Sequence, residues 1–166
     1  MPADDDSLKL QTREEEVRSE TLMLVQSYQT LLAERRLSEW IELWDDEGSC
    51  EFPFAPPGRK RLYRGKGEVY AYMTAYPGRI AIDSVTDSRV HSMLDPEAAV
   101  IELAITGRAL PSGRPYNQRY VAFLEARGGK VWRYREYWNP LVSIEAFGGM
   151  DAWLSEFGPL GEGKES

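Results

Sequence analysis

The chain has 166 residues, 20 basic against 27 acidic side chains, a formal charge of −7, one Cys and one His. That length suits one domain with one core, and 42% hydrophobic with 28% charged residues describes a water-soluble globule, not a disordered or fibrous chain. Net acidity argues against a nucleic-acid binder. One His and one Cys leave too few ligands for zinc, haem-thiolate or iron–sulfur sites, and no apolar run approaches the ~18 residues of a membrane span. A lone Cys50 and an acidic N-terminus without a signal-peptide core fit the cytoplasm, with no cofactor and no metal expected.

Residues 1–12 read as a flexible acidic tail. From about residue 13 to 35, Val17, Leu24, Tyr28, Leu31 and Leu32 recur at helical spacing, and the early glutamates suit the positive end of a helix dipole. A second helix is expected from Ser38, with Leu37, Trp40, Ile41 and Trp44 on one face, ending near Gly48. Residues 49–54 form a short strand that Pro53 confines to an edge or a bulge. A basic loop over 59–66 leads into a third helix over 66–76, closed by Pro77-Gly78.

The period then changes. Residues 79–93, 97–110, 116–127 and 130–139 are β-branched and aromatic, separated by Asp95-Pro96, Pro111-Ser112-Gly113 and Gly128-Gly129, as in an antiparallel meander. After Pro140 helical spacing returns through Ile144, Phe147, Trp153, Leu154 and Phe157, and 159–166 is a polar tail. Helices followed by a curved sheet of four or five strands point to one α+β domain over 13–158.

The last hairpin carries most of the chemistry. With Arg127-Gly128-Gly129 taken as a three-residue loop, Tyr120 lies opposite Glu136. One face then collects Tyr116, Gln118, Tyr120, Ala122 and Leu124 with Trp132, Tyr134, Glu136 and Trp138. The other collects Arg119, Val121, Phe123 and Glu125 with Val131, Arg133, Arg135 and Tyr137. Glu136 is thus one carboxylate in an aromatic wall, where burial raises its pKa towards neutrality, the condition for a general acid or base. The alternative is a buried glutamate paired with an arginine or with backbone amides. Gln118, Trp132, Tyr134 and Trp138 are either pocket walls or core.

The segment over 130–141, with 113–123 before it, resembles the SnoaL-like families of the nuclear-transport-factor-two-like fold, a cone-shaped α+β barrel. The run Arg135-Glu136-Tyr137-Trp138-Asn139-Pro140 is most similar to the phenazine-biosynthesis PhzA/PhzB branch. The resemblance implies N-terminal helices packed on a curved, mainly antiparallel sheet, Glu136 as acid/base and Tyr120 as a pocket hydroxyl. It also implies a homodimer, expected through an outer sheet face carrying Val121, Phe123, Ile101 and Ile105. The phenazine enzymes have a histidine on the third helix, where this chain offers Tyr70, Tyr72 and Tyr76, a departure implying a less charged substrate.

Secondary candidates are Glu102, placed either in the cavity as a second carboxylate or on the outer face, His91 near a strand end, and Phe52 and Phe54 at the cavity rim. Arg59, Lys60, Arg61, Arg64 and Lys66 either steer an anion or form a solvated turn. The function expected is a cofactor-free isomerase, cyclase or dehydratase acting on a small, apolar, cyclic metabolite. The alternatives are a non-catalytic ligand-binding module and epoxide opening by a Glu102–Glu136 pair.

Overall fold

A computed structural model describes residues 3–56, 59–75 and 78–157. Its first helix, α1 (Ala3–Ala33), starts well before residue 13, so the segment expected as a flexible tail is helical from Ala3. No Gly or Pro interrupts that stretch, and its charged, exposed side chains at 6–16 favour helix without tertiary packing. Burial begins with Thr21, Leu24, Val25 and Tyr28. The second expected tail, 159–166, lies outside the described residues, as does Tyr76.

The second helix is far shorter than its apolar spacing suggests: α2 (Leu37–Trp40), one 3-10 turn (Ile41–Leu43), then strand β1 (Trp44–Glu51). Gly48 is therefore a strand residue, where an added Cβ would lie 2.9 Å from the Val131 carbonyl oxygen, and not a helix stop. Next come β2 (Leu62–Arg64) and α3 (Gly65–Ala75). The meander follows as β3 (Ile80–Ser92), β4 (Ala98–Ala109), β5 (Gln118–Arg127) and β6 (Lys130–Trp138). Helices α4 (Pro140–Phe147) and α5 (Met150–Phe157) complete it.

The six strands make one open sheet, ordered β2-β1-β6-β5-β4-β3, antiparallel except for the parallel β1–β6 pair. It is an α+β fold with helices packed on one mainly antiparallel sheet, as expected, and the sheet is open. β1 lies between β2 and β6, not at an edge, because Pro53 falls beyond its last paired residue. Pairing aligns Ala99, Leu124, Tyr134, Cys50 and Tyr63 across five strands, and Ile101, Ala122 and Glu136 across three. These rows face the helices. Among the described residues, no helix is long and apolar enough to cross a membrane.

Two apolar clusters fill the concave side. One joins Val25 and Tyr28 of α1 to Trp40, Trp44, Val69 and Leu124; the other lies beneath α4 and α5 around Ile105, Tyr120, Phe147 and Trp153. Trp138 packs against both. Asn139 and Pro140 start α4: the Asn139 side chain accepts from the Leu141 N–H at 3.0 Å, and Pro140 needs no partner at the first helical position. Gln118, 1% exposed, clamps this corner by donating to the Asn139 carbonyl at 2.9 Å and accepting from its N–H at 3.2 Å.

Gln118→Ala removes the Gln118 partner of both backbone groups of Asn139 at a part-buried corner. The expected cost is about 1–3 kcal/mol in a urea-unfolding measurement; a wild-type midpoint would show that the clamp contributes nothing.

Candidate functional site

The hairpin between β5 and β6 decides what faces inward. Its loop has two residues, Gly128 (φ 56°) and Gly129 (φ 74°), the pair of left-handed positions a tight type I′ turn requires. The three-residue loop is therefore corrected. A β-bulge follows, because Glu125 pairs with Arg133 and Ala126 with Val131, leaving Trp132 as the surplus residue. Beyond the bulge the faces match the binary pattern, but with the pairing slid by two: Glu136 lies opposite Ala122, and Tyr120 opposite Trp138. Before the bulge the parity is reversed. Val131 is fully buried, while Trp132 turns away and carries the Arg127 guanidinium 3.4 Å above its ring. Trp132 is not a wall of the Glu136 site.

Glu136 is half-buried, on the helix-facing side of β6. The Tyr134 hydroxyl donates to its Oε2 at 2.8 Å. Tyr134 stacks on Tyr28 of α1 (centroids 5.0 Å, planes 27° apart). Trp40 and Trp44 wedge Tyr28 at 5.3 and 6.3 Å. Cys50 reaches the site from β1 beside Tyr134, and Tyr72 from α3; burial raises the pKa of both, along with those of Tyr28 and Tyr134, and the Glu136 charge adds to the rise.

Desolvation pushes the Glu136 carboxyl up to about 7, against an ordinary 4.5, and the Tyr134 hydrogen bond opposes that rise. No guanidinium contributes. Arg133 and Arg135 point to the other face, as the alternation of β6 dictates, so the arginine-capped alternative is not what the chain builds. The residue opposite Glu136 across the ladder is Ala122, buried in the core.

The other expected site residues divide. Tyr72 is beside Glu136, and Phe52 packs on Tyr72 at 4.9 Å. Trp138 is on the same face one pair along the ladder. Tyr120, paired with Trp138, sits in the second cluster with its hydroxyl 3.2 Å from that of Tyr116. Gln118 spends its amide oxygen and one of its two N–H donors on the backbone at Asn139 and Arg119. Glu102 and His91 form an exposed pair 3.0 Å apart on the outer face, because Ile101, Leu103 and Ile105 take the inner positions of β4. They do not join Glu136. Phe54 is 59% exposed against outer-face Tyr137 at 5.1 Å, beside a cleft of about 320 Å3 that also touches Tyr120 and Trp138.

Three of the five cations of the basic loop are engaged locally. Arg59 lies 4.7 Å over Trp153 of α5, Lys60 pairs with Glu68 and Lys66 with Glu42, each at 2.8 Å. Among the described residues, no group of three or more His, Cys, Asp or Glu side chains could hold a metal ion. Sequence reasoning missed Tyr28 and Cys50. Tyr28 was visible only as one apolar position of α1, and Cys50 as a strand residue of unknown facing.

Between pH about 4.5 and 7 the folded chain holds a proton on Glu136 that the unfolded chain does not, so stability falls as pH rises through that window. Urea midpoints taken at pH 5 and pH 8 should differ by on the order of 2–3 kcal/mol more in the wild type than in Glu136→Gln. Equal pH dependence in both would place the carboxylate in bulk solvent.

The comparisons with known proteins follow the same geometry. A SnoaL-like domain model matches residues 25–134, ending just short of Glu136. The Bacillus subtilis protein YesE, of uncharacterised function, is 38% identical over 139 residues, covering 84% of this chain and 92% of that one. A Pseudomonas aeruginosa PhzA/B-like protein, also uncharacterised, is 37% identical over 113 residues, covering 68% and 79%. A crystal structure of a Bacillus subtilis protein provisionally named an isomerase superposes with a TM-score of 0.73 at 38% identity, covering 82% and 96%. With a matching domain model and relatives above 30% identity, the chain belongs to the SnoaL-like family, in its PhzA/PhzB-like branch of the nuclear-transport-factor-two-like fold.

Proposed function

We propose that the chain is a cofactor-free, cytoplasmic small-molecule enzyme in which Glu136 works as general acid and base on an apolar, cyclic metabolite. One observation carries this reading: Glu136 stands on the helix-facing side of β6 with a phenol on one oxygen, and burial without a contributing cation pushes its carboxyl up to about 7. A carboxyl so poised takes a proton from carbon and returns it elsewhere, which is isomerisation; the same transfer serves ring closure or loss of water. The isomerase name of the Bacillus subtilis structure supports the first of these. Epoxide opening by a carboxylate pair has no support here, since Glu102 is on the far face.

The test needs no knowledge of the natural substrate. In deuterated buffer, wild-type protein should speed hydrogen–deuterium exchange at the acidic C–H of at least one member of a panel of cyclic enones and β-diketones, read by mass spectrometry. Glu136→Gln should lose roughly 100-fold or more of that rate. Exchange unaffected by the substitution would overturn the assignment, and a wild type that binds panel members without exchanging them would make the chain a carrier.

Homodimerisation through the outer sheet face belongs to the same proposal, narrowed to Val121 and Phe123. Ile101 and Ile105 are buried on the inner side and cannot contribute. Sedimentation equilibrium should give twice the chain mass, with Val121→Arg shifting the population to monomer. A wild-type monomer at all concentrations would remove the dimer.

A further inference from the structure

We infer that the cleft on the outer side of the β5–β6 ladder binds a flat aromatic carboxylate, with Arg119 taking the carboxylate and Phe54 and Tyr137 taking the ring. The site is separate from Glu136 and does not depend on its acid/base role. The cleft encloses about 320 Å3, at the lower end of what small-molecule sites span. It is built where β6 runs into α4. Tyr137 and Trp138 come from β6, Asn139 and Pro140 from the start of α4, Arg119 from β5, and Phe54 from the segment after β1.

The charge comes from an arginine that the fold leaves unspent. Of the other arginines on the hairpin, Arg127 binds Asp45 at 2.8 Å, Arg133 faces Glu125 at 3.5 Å, and Arg135 lies 5.4 Å over Phe123. Among the described residues, the Arg119 guanidinium has no ion pair, hydrogen bond or ring contact. Strand register is the reason. On β4 its partner is Ala104, and on the other side β6 has already ended with Trp138, opposite Tyr120, so no carboxylate faces it from either strand. The next outer-face acid along β4, Glu102, is engaged by His91 at 3.0 Å. An unspent guanidinium offers a planar fork of donors, which a carboxylate meets with two parallel hydrogen bonds. The positive end of α4, which opens at Asn139 and Pro140, adds charge of the same sign.

The ring surface lies beside that fork. Phe54 is 59% exposed although it stands edge-on to Tyr137, with centroids 5.1 Å and planes 85° apart. Tyr137 in turn stands edge-on to Phe123 at 6.1 Å. Edge-on pairs leave ring faces open to a stacking ligand. The rings alone would accept any flat apolar molecule; the guanidinium selects one that carries an anion.

The test is calorimetric titration of the intact chain with naphthoate and with its neutral analogue naphthamide, at neutral pH and low salt. Naphthoate should bind saturably and roughly tenfold more tightly than the amide. Arg119→Met should abolish that preference, and Arg119→Lys, which keeps the charge without the fork, should retain part of it. Phe54→Ala should weaken both ligands alike, by a few-fold. Both substituted side chains are exposed, so these variants keep the fold. Glu136→Gln should change neither affinity, which separates this site from the acid/base one.

The inference is overturned by absent binding, by equal affinities for the two ligands, or by a preference that survives Arg119→Met. A Phe54→Ala variant that binds like wild type overturns it too, as does naphthoate binding lost in Glu136→Gln. Val121, on the face proposed for the dimer, also borders the cleft. Naphthoate affinity that falls as protein concentration rises would therefore make a second copy the occupant, and the anion site would fall.

Discussion

A carboxylate buried without a counter-ion is the constraint on which the rest of this molecule turns. Desolvating an ionised carboxyl costs several kcal/mol unless something answers the charge. The usual answer is a guanidinium, and the same hairpin holds four arginines, Arg119, Arg127, Arg133 and Arg135, yet none acts on the carboxylate. What the carboxyl receives instead is one phenol hydrogen bond, which lowers the cost without abolishing it. The proton affinity therefore stays near neutrality. A stronger partner would drop the group back to an ordinary, permanently ionised glutamate, and no partner would leave it permanently protonated.

Supplying that single partner takes three separate elements. Tyr134 is two residues from Glu136, so strand alternation puts both on one face, and a hydrogen bond between them needs no tertiary help. Holding Tyr134 in place does need help. α1 contributes Tyr28, the α2–β1 corner contributes Trp40 and Trp44, and α3 closes the side with Tyr72. On the other strand, Ala122 stands opposite the carboxylate. The buried aromatic cluster and the half-buried acid are thus one construction, in which core packing sets a titration.

Much of this was legible in the sequence, and the reasons differ by residue. The meander follows from its turn residues, and the inward Glu136 and outward Arg133 and Arg135 follow from period-two alternation along β6, although not from the three-residue turn expected there. Family likeness supplied the order of the elements. What escaped depends on pairings between distant segments. Tyr28 joins Glu136 only through tertiary packing, and Cys50 only through the parallel β1–β6 ladder. Glu102 was undecided because β4 is apolar on both its faces, so alternation carries no sign there. The helix expected up to Gly48 failed because Trp40, Ile41 and Trp44 also fit a turn followed by a strand.

Trp132 shows most plainly how little separates this site from none. A two-residue glycine turn, extended without interruption, would set the strands in the other parity, bringing Arg133, Arg135 and Tyr137 inward and Glu136 outward. The surplus residue in β6 reverses that choice after the turn is complete. Its indole finds a place outside because Arg127 and Arg133 cover it at 3.4 and 5.6 Å, so the bulge puts no apolar ring bare into water. The same one-residue insertion buries Val131 near the turn and exposes the arginines further along. A residue that touches nothing in the site therefore decides that the site holds an acid and excludes its most obvious cations.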